Sequence, residues 1–253
     1  MPTAPKSAFE TFAALHIPGD PVVLYNVWDV GSALAVVAGG AKALATGSHP
    51  VASANGFPDG ETVPIAFALA NARRIVDAVD LPLSVDFEGT YSTDPELGGA
   101  NMMALAETGA VGCNFEDQII GGEGLHPLGL QARRIAAARR AVGDDFFINA
   151  RTDLFLKVKP DAHDAALVDE AIERGKAFAD SGANGFFIPR LGDLRLVERV
   201  VKAVPLPVNA IAYPNAPSKA EWASAGIARI SHGPFPHKAL MAQLTEAARE
   251  AIG

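Results

Sequence analysis

The chain has 253 residues, 49% of them apolar, and carries 29 acidic against 21 basic side chains for a formal net charge of −8. The length suits one α/β barrel better than two average domains, and the apolar fraction is ample for a large core, which excludes a disordered chain. The acidic balance argues against nucleic acid or an anionic membrane surface as the main partner, but leaves a small anionic ligand open, because such a ligand reads only the local field.

Residues 1–20 read as a lead-in with an amphipathic piece over Ser7–Leu15. Apolar strand-like runs then alternate with helix-like runs. Val22–Tyr25 is a strand that runs out into Asn26-Val27-Trp28-Asp29, and Gly31–Ala38 a helix stopped by Gly39-Gly40. Ala43–Thr46 is a second strand, followed by a long loop, Gly47–Glu61, and a helix over Val63–Val79 with Ile65, Leu69, Ala72 and Ile75 on one face. Leu83–Asp86 is a third strand, before a helix over Pro95–Thr108. Val111–Phe115 is the fourth, before the loop Ile119–Gly129 and a helix over Leu130–Val142. Strands at Phe146–Ala150, Gly185–Ile188 and Val208–Ala212 are followed by helices at Asp164–Ser181, Leu194–Val204 and Lys219–Ala225, the last behind a Ser218 cap. Ala228–Ile230 is an eighth strand and His237–Ile252 a closing helix. Eight strand–helix units make the count of a (β/α)8, TIM-type barrel, one domain over residues 1–253. The competing doubly wound open sheet lacks its glycine-rich G-x-G-x-x-G turn here.

The single cysteine, Cys113, allows no internal disulfide and is expected in the core, which suits a reducing, cytoplasmic setting. The opening residues contain no apolar secretion signal, and no apolar run approaches the roughly 20 residues of a membrane span.

The active site of such a barrel lies at the carboxyl ends of its strands. There the chain places Asn26 and Asp29, Gly47, Ser48 and His49, Asp86 and Glu88, Glu116 and Asp117, Arg151 and Asp153, Arg190, Asn209, and Ser231 and His232. Asp86 and Glu88 stand two residues apart, a spacing that puts both on one side of a strand, where two carboxylates repel unless a cation lies between them. Mg²⁺ is the simplest choice, since it takes a few carboxylate oxygens and keeps several waters. Carboxylates beside an arginine suit a small anionic oxo or hydroxy acid. Plainer roles compete for some of these residues. Asn26 and Asp29 suit helix caps, and Asp117 and Asp153 suit partners of Arg151. Arg190 suits either substrate binding or a salt bridge at the rim. His16 suits a structural role, His163 and His237 the surface, and the arginines of Leu130–Val142 a solvated helix face.

Six segments, in this order, resemble the isocitrate lyase/phosphoenolpyruvate mutase superfamily. They are Asn26-Val-Trp-Asp29, Ala43-Leu-Ala-Thr-Gly-Ser48 with Asn55-Gly-Phe-Pro-Asp59, Ser84-Val-Asp-Phe-Glu-Gly89, Asn114-Phe-Glu-Asp-Gln118, Ile148-Asn-Ala-Arg-Thr-Asp153 and Gly185-Phe-Phe-Ile-Pro189. The resemblance implies metal-binding roles for Asp86, Glu88 and Glu116, with Mg²⁺ or, in its place, Mn²⁺. It implies a substrate-carboxylate role for Arg151, 2-oxo-acid contacts for Gly47 and Ser48, and a place at the pocket edge for Asp59. It further implies a homodimer or homotetramer, in which the last helix, with Ala239, Leu240, Met241 and Leu244, is a candidate for exchange between subunits; the same run also suits an unswapped eighth helix.

Two departures narrow the activity. The cysteine-bearing lid of isocitrate and methylisocitrate lyases is replaced by Gln118-Ile-Ile-Gly-Gly-Glu-Gly-Leu-His126, and the lysine and asparagine of the phosphonate enzymes are missing from the same loop. The expectation is a Mg²⁺-dependent lyase or hydrolase that cleaves a C–C bond in a small 2-hydroxy or 2-oxo acid through an enolate-like intermediate. Arg151 would grip the acid, with Gly47, Ser48, His49 and Asn209 around it, and Asp59, Glu123, His126, His49 and His232 are the candidates for proton transfer. The alternatives are a non-catalytic 2-oxo-acid binder and a phosphonopyruvate-type P–C bond enzyme.

Overall fold

The computed structural model describes residues 7–253. Eight parallel strands run β1 (Val22–Leu24), β2 (Leu44–Ala45), β3 (Leu83–Asp86), β4 (Gly112–Glu116), β5 (Phe147–Arg151), β6 (Gly185–Phe187), β7 (Val208–Ile211) and β8 (Arg229–Ser231). They pair in the order β1-β8-β7-β6-β5-β4-β3-β2, and a parallel bridge between Val27 and Thr46 joins the two ends. The result is the expected (β/α)8 TIM-type barrel.

The helices are α1 (Ala8–Ala14), α2 (Val30–Ala38), α3 (Ser48–Ala54), α4 (Ile65–Ala78), α5 (Pro95–Ala106), α6 (Leu128–Val142), α7 (Ala165–Asp180), α8 (Leu194–Ala203), α9 (Lys219–Ser224) and α10 (Phe235–Ile252). Most start where a short polar side chain can satisfy the free amides of a first turn. Asp29 caps α2 in a reciprocal box with Ser32, Asp94 and Asp164 cap α5 and α7, and Ser218 caps α9. α3 is a helix inside what reads as a loop. Its sequence, Ser48-His49-Pro50, looks like a turn, but proline is tolerated in a first helical turn, where the amide has no partner to lose.

α1 plugs the lower mouth of the barrel. Phe12 of α1 is fully buried against the first residues of the strands, among them Val22, Ala43, Val111 and Phe147. His16 stacks on Phe147 at 4.3 Å and donates its Nδ1–H to the Phe12 carbonyl, 2.9 Å away. Burial pushes its pKa down to about 3, so it stays neutral, in a structural role.

Two surface assignments are corrected. Arg134 of α6 is buried, not solvated: it donates to the carbonyls of Gly89 and Ser92 at 2.6 and 3.0 Å and lies over the Phe115 ring. Arg139 likewise turns inward to the carbonyls of Gly182 and Phe146, while Arg133 and Arg140 face solvent. His237 is also buried, edge-on to Trp28 at 4.9 Å. Both arginines satisfy loop carbonyls that an apolar side chain would leave unpaired.

α10 leaves its own barrel. Pro236 and His237 are its buried residues, and Leu240, Leu244 and Ile252 are 47%, 59% and 85% exposed. A cleft of about 640 Å³ opens on the barrel wall between α2 and α9, lined by Val22, Val23, Tyr25, Ala35, Val36 and Lys219 among others. Among the described residues no helix is long and apolar enough to cross a membrane.

Because Phe12 is wholly enclosed, Phe12→Ala should cost about 3–5 kcal/mol of stability, measured by urea unfolding. A loss under about 1 kcal/mol would mean that α1 does not seal the barrel.

Candidate active site

β5 delivers Arg151 to the upper mouth. Its Nε donates to Asp153 Oδ1 at 2.5 Å, its Nη2 to Asp153 Oδ2 at 3.0 Å, and its Nη1 lies 2.8 Å from Glu116 Oε2 and 4.0 Å from Asp86 Oδ1. Burial alone would lower the Arg151 pKa, but Asp153, Glu116 and Asp86 outweigh it and hold the guanidinium firmly charged. Asp153 is itself anchored, its amide donating to Asp117 Oδ1 at 2.9 Å. Asp117 does not pair with Arg151 as expected: its other oxygen accepts from Arg174 of α7 at 3.2 Å. Burial raises the Asp117 pKa to about 6.

β3 ends at Asp86, whose carboxylate accepts from the Ser48 amide at 3.0 Å and from Asn114 Nδ2 at 3.3 Å. The first of these donors belongs to the free N-terminal turn of α3, a natural seat for negative charge. Beneath Asp86 lies a polar layer of which the sequence singled out Asn209 but not Asn149 or Arg229. Asn149 Nδ2 donates to Asn114 Oδ1 at 2.8 Å and to Asn209 Oδ1 at 3.1 Å, and Arg229 Nη2 donates to Asn114 Oδ1 at 3.2 Å. Arg229 is fully enclosed, and burial lowers its pKa to about 10, so it remains a cation inside the barrel. Its one signal was a charge within the apolar strand Ala228-Arg229-Ile230.

A cavity of about 210 Å³ opens above this floor. Gly47, Ser48, His49, Asp59, Asp86 and Arg151 line one side, and Leu156, Phe187, Ile211 and Phe235 give it an apolar wall. Asp59 is exposed overall, but partial burial against the cavity and the Asp86 charge beside it raise its pKa. His49 Nδ1 is buried without a protein partner.

Other expected site residues lie elsewhere. Asn209 is buried below the cavity, tied by Nδ2 to the carbonyls of Ala210 and Arg229. His126 is buried beside Asp117, its amide donating to the Asp117 carbonyl at 2.7 Å, and does not line the cavity. Glu123 is exposed at the tip of the glycine-rich loop and also stands off. Asn26 caps no helix: its Oδ1 accepts from the amides of His232 and Gly233, both at 2.7 Å, and its Nδ2 donates to the Thr46 carbonyl, joining β1, β2 and β8 at the rim.

The three-acid cage is not formed. Among the described residues no three His, Cys, Asp or Glu side chains close on a point that could hold a metal. Glu116 is committed to Arg151 and Gln118. Glu88 sits in a turn with φ +50, past the end of β3, so the two-residue spacing no longer sets its direction. It is 6% exposed and accepts from the Glu61 amide at 2.9 Å in a small cleft beside Asp86. Asp86 alone of the three lines the main cavity.

A family model described as phosphoenolpyruvate phosphomutase matches residues 12–252. A solved protein of Burkholderia cenocepacia J2315, provisionally named a phosphonomutase, is 43% identical with a TM-score of 0.94, over 96% of this chain and 98% of that one. An uncharacterized protein of Mycobacterium tuberculosis H37Rv is 33% identical over 94% of this chain and 88% of its own. The 2-methylisocitrate lyase of Escherichia coli K12 is 24% identical over 77% of this chain and 70% of its own. A phosphonopyruvate hydrolase solved with oxalate and Mg²⁺ has the same fold, with a TM-score of 0.84 at 20% identity over 96% of this chain and 87% of that one.

Burial, then the charges of Asp86 and Asp59, push the Glu88 pKa up to about 8 from an ordinary 4.5. The folded protein therefore holds a proton that the unfolded chain releases across that window, and stability falls as pH rises through it. In chelator, Glu88→Gln, which keeps an oxygen for the Glu61 amide, should recover on the order of 3 kcal/mol at pH 8 and little at pH 4.5. Urea unfolding at the two pH values reads this; an equal effect at both would remove Glu88 as the source.

Proposed function

The chain belongs to the phosphoenolpyruvate mutase/isocitrate lyase superfamily of enzymes that cleave C–C and P–C bonds, and within it we propose a carbon–carbon lyase or hydrolase that acts, with Mg²⁺, on a small 2-hydroxy or 2-oxo acid. The observation that carries this reading is the pairing of Arg151 with Asp86 at the floor of a cavity of about 210 Å³. That space is smaller than a drug-sized pocket and suits an acid of a few carbons.

Mg²⁺ fits the donor set in a water-rich form. It commonly takes one or two carboxylates and keeps its waters, so Asp86 would be the direct ligand, with Glu88 and Glu116 as acceptors for metal-bound water. The charges agree, because the three carboxylates of Asp86, Glu116 and Asp153 outnumber the two cations of that floor, Arg151 and the buried Arg229 beneath it, so an anionic acid gains from a further cation. When bound, the metal supplies positive charge to the oxyanion that develops on the substrate.

The chain's own residues do the rest. Two of the five N–H groups of Arg151 donate to Asp153 and its Nη1 lies against Glu116, and the N–H groups left over suit a carboxylate. Ser48 and Gly47, at the start of α3, border the place of the substrate's polar end, and Phe187, Ile211 and Phe235 exclude water from its other side. Asp59 and His49 line the cavity and take the proton-transfer role ahead of Glu123 and His126. A C–C substrate is favoured over a phosphonate because the loop Gln118–His126 carries no lysine to neutralise a phosphonyl group. The buried thiol of Cys113 suits a reducing cytoplasm.

The test is a panel of 2-hydroxy and 2-oxo acids with Mg²⁺ or chelator, read by release of the 2-oxo-acid product. Turnover should need the metal, and Arg151→Lys should lower kcat/KM at least about 100-fold, since a point charge replaces a planar fork. Saturable binding of oxalate without turnover of any acid would instead make the barrel a binder.

The assembly reading rests on α10 and the cleft between α2 and α9: the exposed Leu240 and Leu244 would seat on a second copy, giving a homodimer or homotetramer. Light scattering should find the wild-type chain oligomeric, and Leu240→Glu with Leu244→Glu should shift it to monomer with the same circular dichroism. An unchanged mass would place the interface elsewhere.

A further inference from the structure

Arg190 follows β6 in the turn Ile188-Pro189-Arg190, with φ +75, a left-handed conformation that glycine favours and a long side chain resists. Backbone strain of this kind persists where the side chain is kept for a purpose. The guanidinium carbon lies 4.3 Å from the centre of the Tyr213 ring. Tyr213 is itself firmly seated, because a Cβ on Gly192 would collide with its hydroxyl. Among the described residues no carboxylate stands within 4.0 Å of Arg190 and its guanidinium makes no hydrogen bond, so the rim salt bridge expected as one of its two roles is not found. Asp193, which shares an outer cleft with it, pairs with Arg195 and caps α8. The stack on Tyr213 is what holds Arg190 in place.

That place is a seam between two spaces. The ends of β5, β6 and β7 lead first to the cavity of about 210 Å³, through Leu156, Pro189 and Ile211. A few residues on, the same three connections border an outer cleft of about 650 Å³, through Pro160, Gly192 and Tyr213. Arg190 alone lines both. Leu156, Phe187 and Ile211 are also the apolar side of the cavity, where the carbon tail of an acid held by Arg151 would lie, so that tail runs toward Arg190. We infer that Arg190, braced on Tyr213, is a specificity-determining residue that closes the cavity from the outer cleft and limits the acid to a short carbon tail. This rests on the 2-hydroxy/2-oxo-acid reading above and sets the length of the acid within it.

The test titrates pyruvate, 2-oxobutyrate, 2-oxohexanoate and 2-oxooctanoate calorimetrically, in Mg²⁺, into the wild-type chain, Arg190→Gly and Arg190→Asn. Glycine and asparagine both suit a left-handed backbone, so both variants should fold, with unchanged circular dichroism. Every acid in the series carries a single carboxylate. Loss of the Arg190 charge therefore acts on all of them alike, and only removal of the wall acts on length. Wild type should bind 2-oxooctanoate at least about tenfold more weakly than pyruvate, the cost of forcing a tail into filled space. In both variants that preference should shrink at least about tenfold, the worth of burying some two methylene groups in the opened cleft. A wild type without the preference, or variants that keep it, overturns the inference and leaves the site reading standing. Wild type that binds no acid of the series overturns both.

Discussion

The buried charge of Arg151 is the constraint around which the upper half of the barrel is built. A guanidinium out of water is costly unless its neighbours replace the lost hydration. Asp153 meets it with two hydrogen bonds, Glu116 with one contact at 2.8 Å, and Asp86 stands at 4.0 Å. Those acids then need anchors of their own. Asp153 is held through its amide by Asp117, Asp117 by Arg174, and Arg174 by Glu170 on the outer surface of α7. This chain of contacts runs from the cavity to solvent, so no buried member depends on one partner alone. Its effect is positional: each link restricts where the Arg151 fork can point, which a substrate carboxylate needs more than it needs raw attraction.

Below that cluster the barrel interior is graded. The lowest layer, closed by Phe12, is apolar, and above it come Asn114, Asn149, Asn209, Arg229 and Ser231, and then the charged mouth. The grading follows from strand alternation. On β4, Gly112, Asn114 and Glu116 share one direction, and Cys113 and Phe115 take the other, into the core beneath the helices. A buried amide layer is stable only if its members satisfy one another. Arg229 keeps one nitrogen, Nη1, without a protein partner, the least satisfied point of the layer. Through Asn114 that layer reaches Asp86 and fixes which oxygen of Asp86 is spent inside and which faces Ser48.

How far the sequence can be read depends on how local the cause is. Short apolar runs bounded by glycine, proline or polar residues marked all eight strands, because parallel strands buried on both faces have no other pattern to show. Residues at the end of a strand inherit its direction, which is why Asp86 and Arg151 were legible and do line one cavity, whereas Gly47 and Ser48, past the end of β2, were legible through the family resemblance. One step past the strand the inheritance ends. The left-handed turn at Glu88 redirects its carboxylate into a neighbouring cleft, and Asn209 lies a layer below the cavity floor. Arg134 was misread for a different reason. Its buried role depends on carbonyls at Gly89 and Ser92, some forty residues away, which no helical periodicity reports. Glu123 and His126 fall in a loop whose path is set by the bridge between Gln118 and Leu125 and the Asp117–His126 contact, again invisible to local pattern.

The fate of the thiol bears on the chemistry. Cys113 is wholly buried on the outward side of β4, its sulfur 3.2 Å from that of Met102, and burial pushes its pKa far above the ordinary range. It cannot reach the cavity, and neither of the loop's two candidates, the exposed Glu123 and the buried His126, lines it. A C–C cleavage that leaves an enolate-like carbon still needs a proton from somewhere. The groups proposed to give one follow β2, on the other side of β3, where Asp59 and His49 line the same cavity as Asp86. Burial and the Asp86 charge make Asp59 hold its proton to higher pH than an ordinary aspartate, the direction a general acid requires. With no reactive side chain of the loop after β4 lining the cavity, the function proposed above divides the labour between the two loops: the β4 side encloses, and the β2 side exchanges the proton.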